Sequence, residues 1–81
     1  MQKKAKTTKL IQFKAAEAIF KAMEANKEKK VFKKIGAKVI KSECAKYKKQ
    51  DKDLTFDKDA QKSILKDAVK AAETMMRNRE L

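Results

Sequence analysis

Apolar residues recur at three- and four-residue steps through three segments of the chain, the spacing that places side chains on one face of an α-helix. In the first segment, from about Thr8 to Ala25, this face consists of Ile11, Ala15, Ala18, Ile19, Ala22 and Met23. Thr7 or Thr8 can serve as its N-cap. Asn26 suits the left-handed residue that often follows a helix. We therefore expect a break there, with a helix continuous into the next segment as the alternative.

The opposite face of the first segment alternates in charge, at spacings that allow ion pairs within one helix. Its members are Lys14, Glu17, Lys21, Glu24 and Glu28. This face therefore needs no binding partner to be explained.

The second segment, from about Glu28 to Lys49, separates apolar and basic residues most strongly. Its apolar side contains Phe32, Ile35, Val39, Ile40 and Tyr47. Its opposite side contains Lys30, Lys33, Lys34, Lys38, Lys41 and Lys48. After Glu28 the segment has one acid, Glu43, which lies toward the apolar side. Like charges at these spacings destabilise a helix by a few tenths of a kcal/mol per pair, and a bound anion would relieve that repulsion.

Between Gln50 and Lys58 the helical pattern stops, and Thr55 or Asp57 can cap a third helix that runs to about Asn78. The buried stripe of this helix consists of Ile64, Leu65, Ala68, Ala71, Ala72, Met75 and Met76. Three amphipathic helices predict an all-α fold, either a small three-helix bundle or a helical hairpin completed by dimerisation. We expect residues 1–7 to form a disordered basic tail and residues 8–81 a single helical domain.

The size of the chain limits its core, because a domain of 81 residues leaves much of its apolar surface in water. The single cysteine, Cys44, excludes an internal disulfide and is typical of a protein in the reducing cytoplasm. No apolar run is long enough to span a bilayer, and the glutamates of the first helix argue against a membrane surface as partner. A homodimer or a partner protein could supply the missing burial.

Positive charge is concentrated at one end of the chain. The net charge is +12; residues 1–50 carry 16 basic and 4 acidic side chains, whereas residues 51–81 carry 7 of each. Such asymmetry favours a polyanion as the partner. We therefore predict a nucleic-acid-binding protein, for DNA or RNA, that uses lysine–phosphate contacts with little sequence specificity. The candidate binding residues are Lys3, Lys4, Lys6, Lys9, Lys30, Lys33, Lys34, Lys38, Lys41 and Lys48.

Two alternatives to nucleic-acid binding remain open at this point. The chain could be a helical adaptor or inhibitor that docks on an acidic surface of a partner protein. Its lysines could also form a solvated surface that only maintains solubility. The salt dependence of binding separates the first alternative from phosphate recognition.

Catalytic and metal chemistry find little support in the sequence. The chain has no histidine and one glycine, which argues against catalytic triads, most zinc sites and glycine-rich phosphate loops. The acidic residues from Asp51 to Asp59 resemble the spacing of a calcium loop, but Phe56 replaces its glycine and Lys62 its final glutamate. Cys44 has no base and is expected in the core. We expect no enzymatic activity, no metal and no cofactor.

Overall fold

The computed structural model describes the backbone of residues 2–80 and the side chains of residues 5–79. It contains three helices, α1 (Gln2–Glu24), α2 (Lys29–Gln50) and α3 (Lys58–Glu80). Each helix packs against the other two. Of the two architectures that the sequence left open, the structure shows the three-helix bundle, and a single chain is sufficient to build it.

The junction between α1 and α2 is a left-handed turn centred on Asn26, whose φ is 58°. The amide of Lys27 donates to the carbonyl of Ala22 at 3.1 Å, and the amide of Asn26 donates to the carbonyl of Met23 at 3.0 Å. These two bonds satisfy carbonyl groups that the end of a helix leaves free. The predicted break is confirmed, and the alternative of one continuous helix is wrong.

The junction between α2 and α3 is organised by its aspartates. The Oδ1 atom of Asp57 accepts a hydrogen bond from the amide of Ala60 at 2.8 Å, which identifies Asp57 as the N-cap of α3. The Oδ1 atom of Asp51 accepts from the amide of Asp53 at 3.0 Å and tightens the turn before it. Leu54 is buried between these two turns, so the acidic segment fixes one end of the bundle.

The start of α1 differs from the expectation. The helix begins at Gln2, six residues before the expected start near Thr8, so residues 2–7 belong to α1 instead of a disordered tail. Thr7 is buried and continues the inward face of the helix. Extending a helix that is already formed is far less costly than nucleating one, and Ala and Lys are good helix formers. Met1 lies outside the described residues.

The core is made largely of isoleucine and alanine. Its buried cluster consists of Ile11, Ala15, Ala16, Ile19, Ile40, Cys44, Ile64, Ala68 and Ala72. The alanines are small enough to let the helices approach closely. The larger apolar residues of α2, including Phe32, Val39 and Tyr47, are only half-buried around this cluster. Cys44 is a core residue, as expected.

Gly36 lies where the three helices come closest together. A Cβ atom at this position would be 2.6 Å from Cδ1 of Leu65 in α3 and 2.9 Å from Cδ1 of Ile19 in α1. Both distances are shorter than side-chain carbons tolerate. The glycine therefore lets α2 pack against both neighbours at the same level, and the turns that follow Gly36 position the site described next.

Candidate functional site

The lysines of α2 form one exposed surface, which we call the lysine face. It consists of Lys30, Lys33, Lys34, Lys38, Lys41 and Lys48, all of them exposed. The buried residues of α2 are Gly36, Ile40, Glu43 and Cys44. Within residues 5–79, no carboxylate forms an ion pair with any lysine of this face. The six ammonium groups therefore remain unneutralised.

A groove of about 550 Å³ lies beside the lysine face, between α2 and α3. Five of the nine residues that line it are lysines, and none is acidic. Its lining consists of Lys34, Ala37, Lys38, Ile40, Lys41, Lys58, Gln61, Lys62 and Leu65. The groove thus combines lysines from both helices with an aliphatic floor formed by Ala37, Ile40 and Leu65.

The contribution of α3 to this site was not predicted from the sequence. Residues 51–81 have no net charge, and that average concealed the basic flank of the helix. Lys58 and Lys62 are four residues apart, so they lie on one flank, and this flank faces the groove. The acids Asp59 and Asp67 lie further around α3 and are absent from the lining. A four-residue lysine repeat was the signal that could have revealed this flank.

The other predicted lysines, Lys3, Lys4, Lys6 and Lys9, belong to α1 and not to the helix that forms the lysine face. Lys6 and Lys9 are exposed, and the side chains of Lys3 and Lys4 lie outside the described residues. Lys14 marks the flank of α1 that faces α2, because its side chain contacts Glu43. At 100° per residue, Lys9 lies about 140° around the helix from Lys14. The fold therefore brings Lys58 and Lys62 to the α2 lysines and directs Lys9 elsewhere.

Glu43, which lies on the core side of α2, forms an ion pair within the bundle. It is 7% exposed, and Nζ of Lys14 in α1 is 2.7 Å from its Oε1 atom. The hydrogen bond to Glu43, and then its negative charge, raise the pKa of Lys14 above the ordinary value of a lysine. The alternating charges of α1 indicated ion pairs within one helix, whereas the flexible stem of Lys14 reaches a carboxylate of the neighbouring helix.

A second ion pair joins the last turns of α1 and α3, where Arg79 donates to Glu24. This pair holds the ends of the two helices together. With Glu43 and Glu24 each paired to a residue of another helix, two of the four acids in residues 1–50 have partners outside the lysine face.

Two residues outside the lysine face remain to be placed, Cys44 in the core and Phe13 on the surface of α1. Burial, followed by the negative charge of Glu43, raises the pKa of the Cys44 thiol, which keeps it protonated and poorly nucleophilic at neutral pH. Leu10 and Phe13 are 53% and 57% exposed, so α1 presents a small apolar patch of its own.

Comparison with known proteins does not assign the chain to a family. No protein-family model, curated protein or solved structure matches the chain. In the part of the chain that the structure describes, no helix has the length and apolar character needed to cross a membrane. Over the same residues, no cluster of three acidic or cysteine side chains is suited to hold a metal ion.

Proposed function

We propose that this protein binds nucleic acid, DNA or RNA, through lysine–phosphate contacts and with little sequence specificity. The observation that carries the proposal is the lysine face, six exposed ammonium groups without a carboxylate partner among the described residues. Lys58 and Lys62 extend the basic surface across the groove to α3. Lysine is a point charge with rotatable donors, which suits phosphate contact better than the reading of bases.

The length of the lysine face fits several phosphates of a duplex. Lys30 and Lys48 are eighteen residues apart, or about 27 Å along α2. Duplex DNA carries one phosphate per about 1.7 Å of its axis, both strands counted, so a surface of this length passes several phosphates. Contacts with about six phosphates would lower the affinity roughly a thousandfold between 50 and 200 mM salt.

Repulsion within the lysine face favours anion binding. Lys34 is four residues from Lys38, and Lys38 is three residues from Lys41, so neighbouring ammonium groups repel each other on one helix. Phosphate oxygens between them would replace that repulsion with attraction. The positions that approach each other most closely are therefore those at which charge reversal should have the greatest effect on binding.

The test is the triple substitution Lys34→Glu, Lys38→Glu and Lys41→Glu, compared with Lys21→Glu, Lys27→Glu and Lys70→Glu. Both sets change the net charge equally, and all six lysines are exposed. Fluorescence anisotropy with labelled duplex DNA and hairpin RNA measures the affinity at 50 and 200 mM salt. We expect the first set to weaken binding at least about a hundredfold and to flatten the salt dependence, while the second set weakens it far less.

Equal losses in the two triple variants would contradict the proposed surface, because they would show that only net charge matters. Circular dichroism of both variants confirms that the helices remain folded. Wild-type protein that binds neither nucleic acid at 50 mM salt would contradict the function itself.

A further inference from the structure

We propose that the groove between α2 and α3 is a docking site for an amphipathic helix of a partner protein, one that presents an apolar anchor surrounded by acidic residues. This inference goes beyond nucleic-acid binding, because it depends on the aliphatic floor of the groove as well as on the lysines of its rims. Phosphates bound to the ammonium groups would leave that floor in contact with water.

The floor is the main reason to expect an apolar anchor. Ala37 is exposed, Leu65 is half-buried and Ile40 is buried, so the floor descends from the surface into the core. The aliphatic stems of the surrounding lysines continue the apolar walls, and their charged ends reach solvent at the rim. Covering this surface with an aliphatic side chain would remove apolar area from water on both partners.

The charges around the floor select an acidic partner. Lys34, Lys38 and Lys41 contribute the α2 side, and Lys58 and Lys62 the α3 side, with no acidic residue among the lining groups. Glutamates on both sides of an apolar anchor would face ammonium groups on both rims, whereas lysines in the same positions would be repelled. The lining contains no aromatic side chain on which an unpaired base could stack, which makes the floor a poor match for a nucleic acid.

The length of the groove suggests a helical segment. The lining residues run from Lys34 to Lys41 on α2 and from Lys58 to Leu65 on α3, which is about 10 Å along each helix. That distance corresponds to two helical turns, enough for anchors at positions i and i+3 or i+4 of a docked helix. A short amphipathic helix therefore fits the length, the floor and the charge of the groove together.

The experiment uses two fluorescent helical peptides of about fourteen residues. The first has leucines at i, i+3 and i+7 with glutamate around them, and the second has glutamine in place of each leucine. We expect the leucine peptide to bind the wild-type protein at least about tenfold more tightly than the glutamine peptide. Equal affinities would overturn the proposal, because binding would then need charge alone.

Substitution of the floor tests the position of the peptide. Ala37→Trp fills the groove at an exposed position, and Ala45→Trp places the same bulk at an exposed alanine two turns further along α2, outside the groove. We expect only Ala37→Trp to weaken binding of the leucine peptide, at least about tenfold. Ala37→Glu, which adds a repelling carboxylate, should have the same effect and serves if the tryptophan variant fails to fold. Retained affinity in a folded Ala37 variant would overturn the proposal.

Nucleic-acid binding by the same variants separates the two proposals. We expect Ala37→Trp to retain its affinity for duplex DNA, because the lysines are unchanged. Loss of both ligands in this variant would overturn the docking proposal by placing nucleic acid on the floor. Wild-type protein that binds the leucine peptide but no nucleic acid would support the docking site and refute the function proposed above.

Discussion

The two sides of α2 pack against their neighbours in different ways. Toward α1, Glu43 forms an ion pair with Lys14, and the neighbouring side chain of Ile19 is fully buried. Toward α3, the turns after Gly36 open into a groove that exposes Ala37 and leaves Leu65 half-buried. The fold therefore concentrates its stabilising contacts on the α1 side and leaves the α3 side able to accept a ligand.

Charge reinforces this difference between the two sides of α2. On the α1 side, the positive charge of Lys14 lies 2.7 Å from a carboxylate oxygen. On the α3 side, five lysines surround the groove without an acid among its lining residues. Unpaired like charges along both rims oppose closure of the groove. An anionic ligand bound on this side of α2 would reduce the repulsion between them.

The largest expected effect is the loss of stability caused by shortening a buried side chain where α1 packs against α2. Ile19 is fully buried, so Ile19→Ala should reduce the free energy of unfolding by about 3 to 4 kcal/mol through lost transfer energy and a residual cavity. Leu65→Ala, at the half-buried edge of the groove, should lose roughly 1 to 2 kcal/mol because water already reaches that side chain. Urea denaturation followed by circular dichroism measures both values.

Ile19→Val is the graded control for the first variant, with an expected loss of about 1 kcal/mol. Should Leu65→Ala destabilise the protein as much as Ile19→Ala, the two sides of α2 would contribute equally to stability. The contrast between a packed side and an open side would then be incorrect.

Much of the fold followed from local patterns in the sequence. The three-helix architecture, the turn at Asn26 and the cap at Asp57 were each indicated by hydrophobic spacing or by a residue with a specific backbone preference. The start of α1 was missed, because the lysine-rich beginning of the chain resembles a solvated tail. The burial of Thr7 in the bundle was likewise not indicated by the sequence pattern.

The candidate site was only partly predictable. Hydrophobic spacing placed the α2 lysines on one exposed side correctly, because a single helix determines that arrangement. The grouping of Lys58 and Lys62 with Lys34 depends on how α3 is rotated against α2, which net charge along the chain does not reveal. The partner of Lys14 was missed for the same reason, since Glu43 is distant in sequence and adjacent only in the bundle.

An intermediate effect on stability is expected when the α2 lysines beside the groove are neutralised. The triple substitution Lys34→Gln, Lys38→Gln and Lys41→Gln removes like-charge neighbours and should raise the free energy of unfolding by roughly 1 kcal/mol at low salt. The gain should shrink as salt increases, because exposed charges are screened. Thermal denaturation at 20 and 500 mM sodium chloride measures it. A triple variant less stable than wild type would show that these lysines stabilise the fold. It would contradict the inference that their mutual repulsion destabilises α2 and favours anion binding.

The smallest expected effect is the pH dependence of stability that arises from the ion pair between α1 and α2. The ion pair with Glu43 raises the pKa of Lys14 in the folded protein. The unfolded chain therefore releases this proton at a lower pH than the folded protein does. The contribution of the pair to stability is complete below the ordinary lysine pKa of about 10.4 and is lost as the pH rises through the folded value.

Lys14→Met isolates this contribution, because it retains an apolar stem without the charge, and Lys21→Met is the control at an exposed lysine that forms no ion pair among the described residues. Between pH 9 and 11.5, we expect unfolding free energy to decline more steeply in wild type and Lys21→Met than in Lys14→Met. The Cys44 thiol, whose pKa is raised by burial and then by the charge of Glu43, adds a decline above its ordinary pKa of about 8.5 to all three proteins. Identical slopes in the three proteins would mean that Lys14 and Glu43 are not paired in solution, and that the packing of α1 against α2 rests on apolar contacts alone.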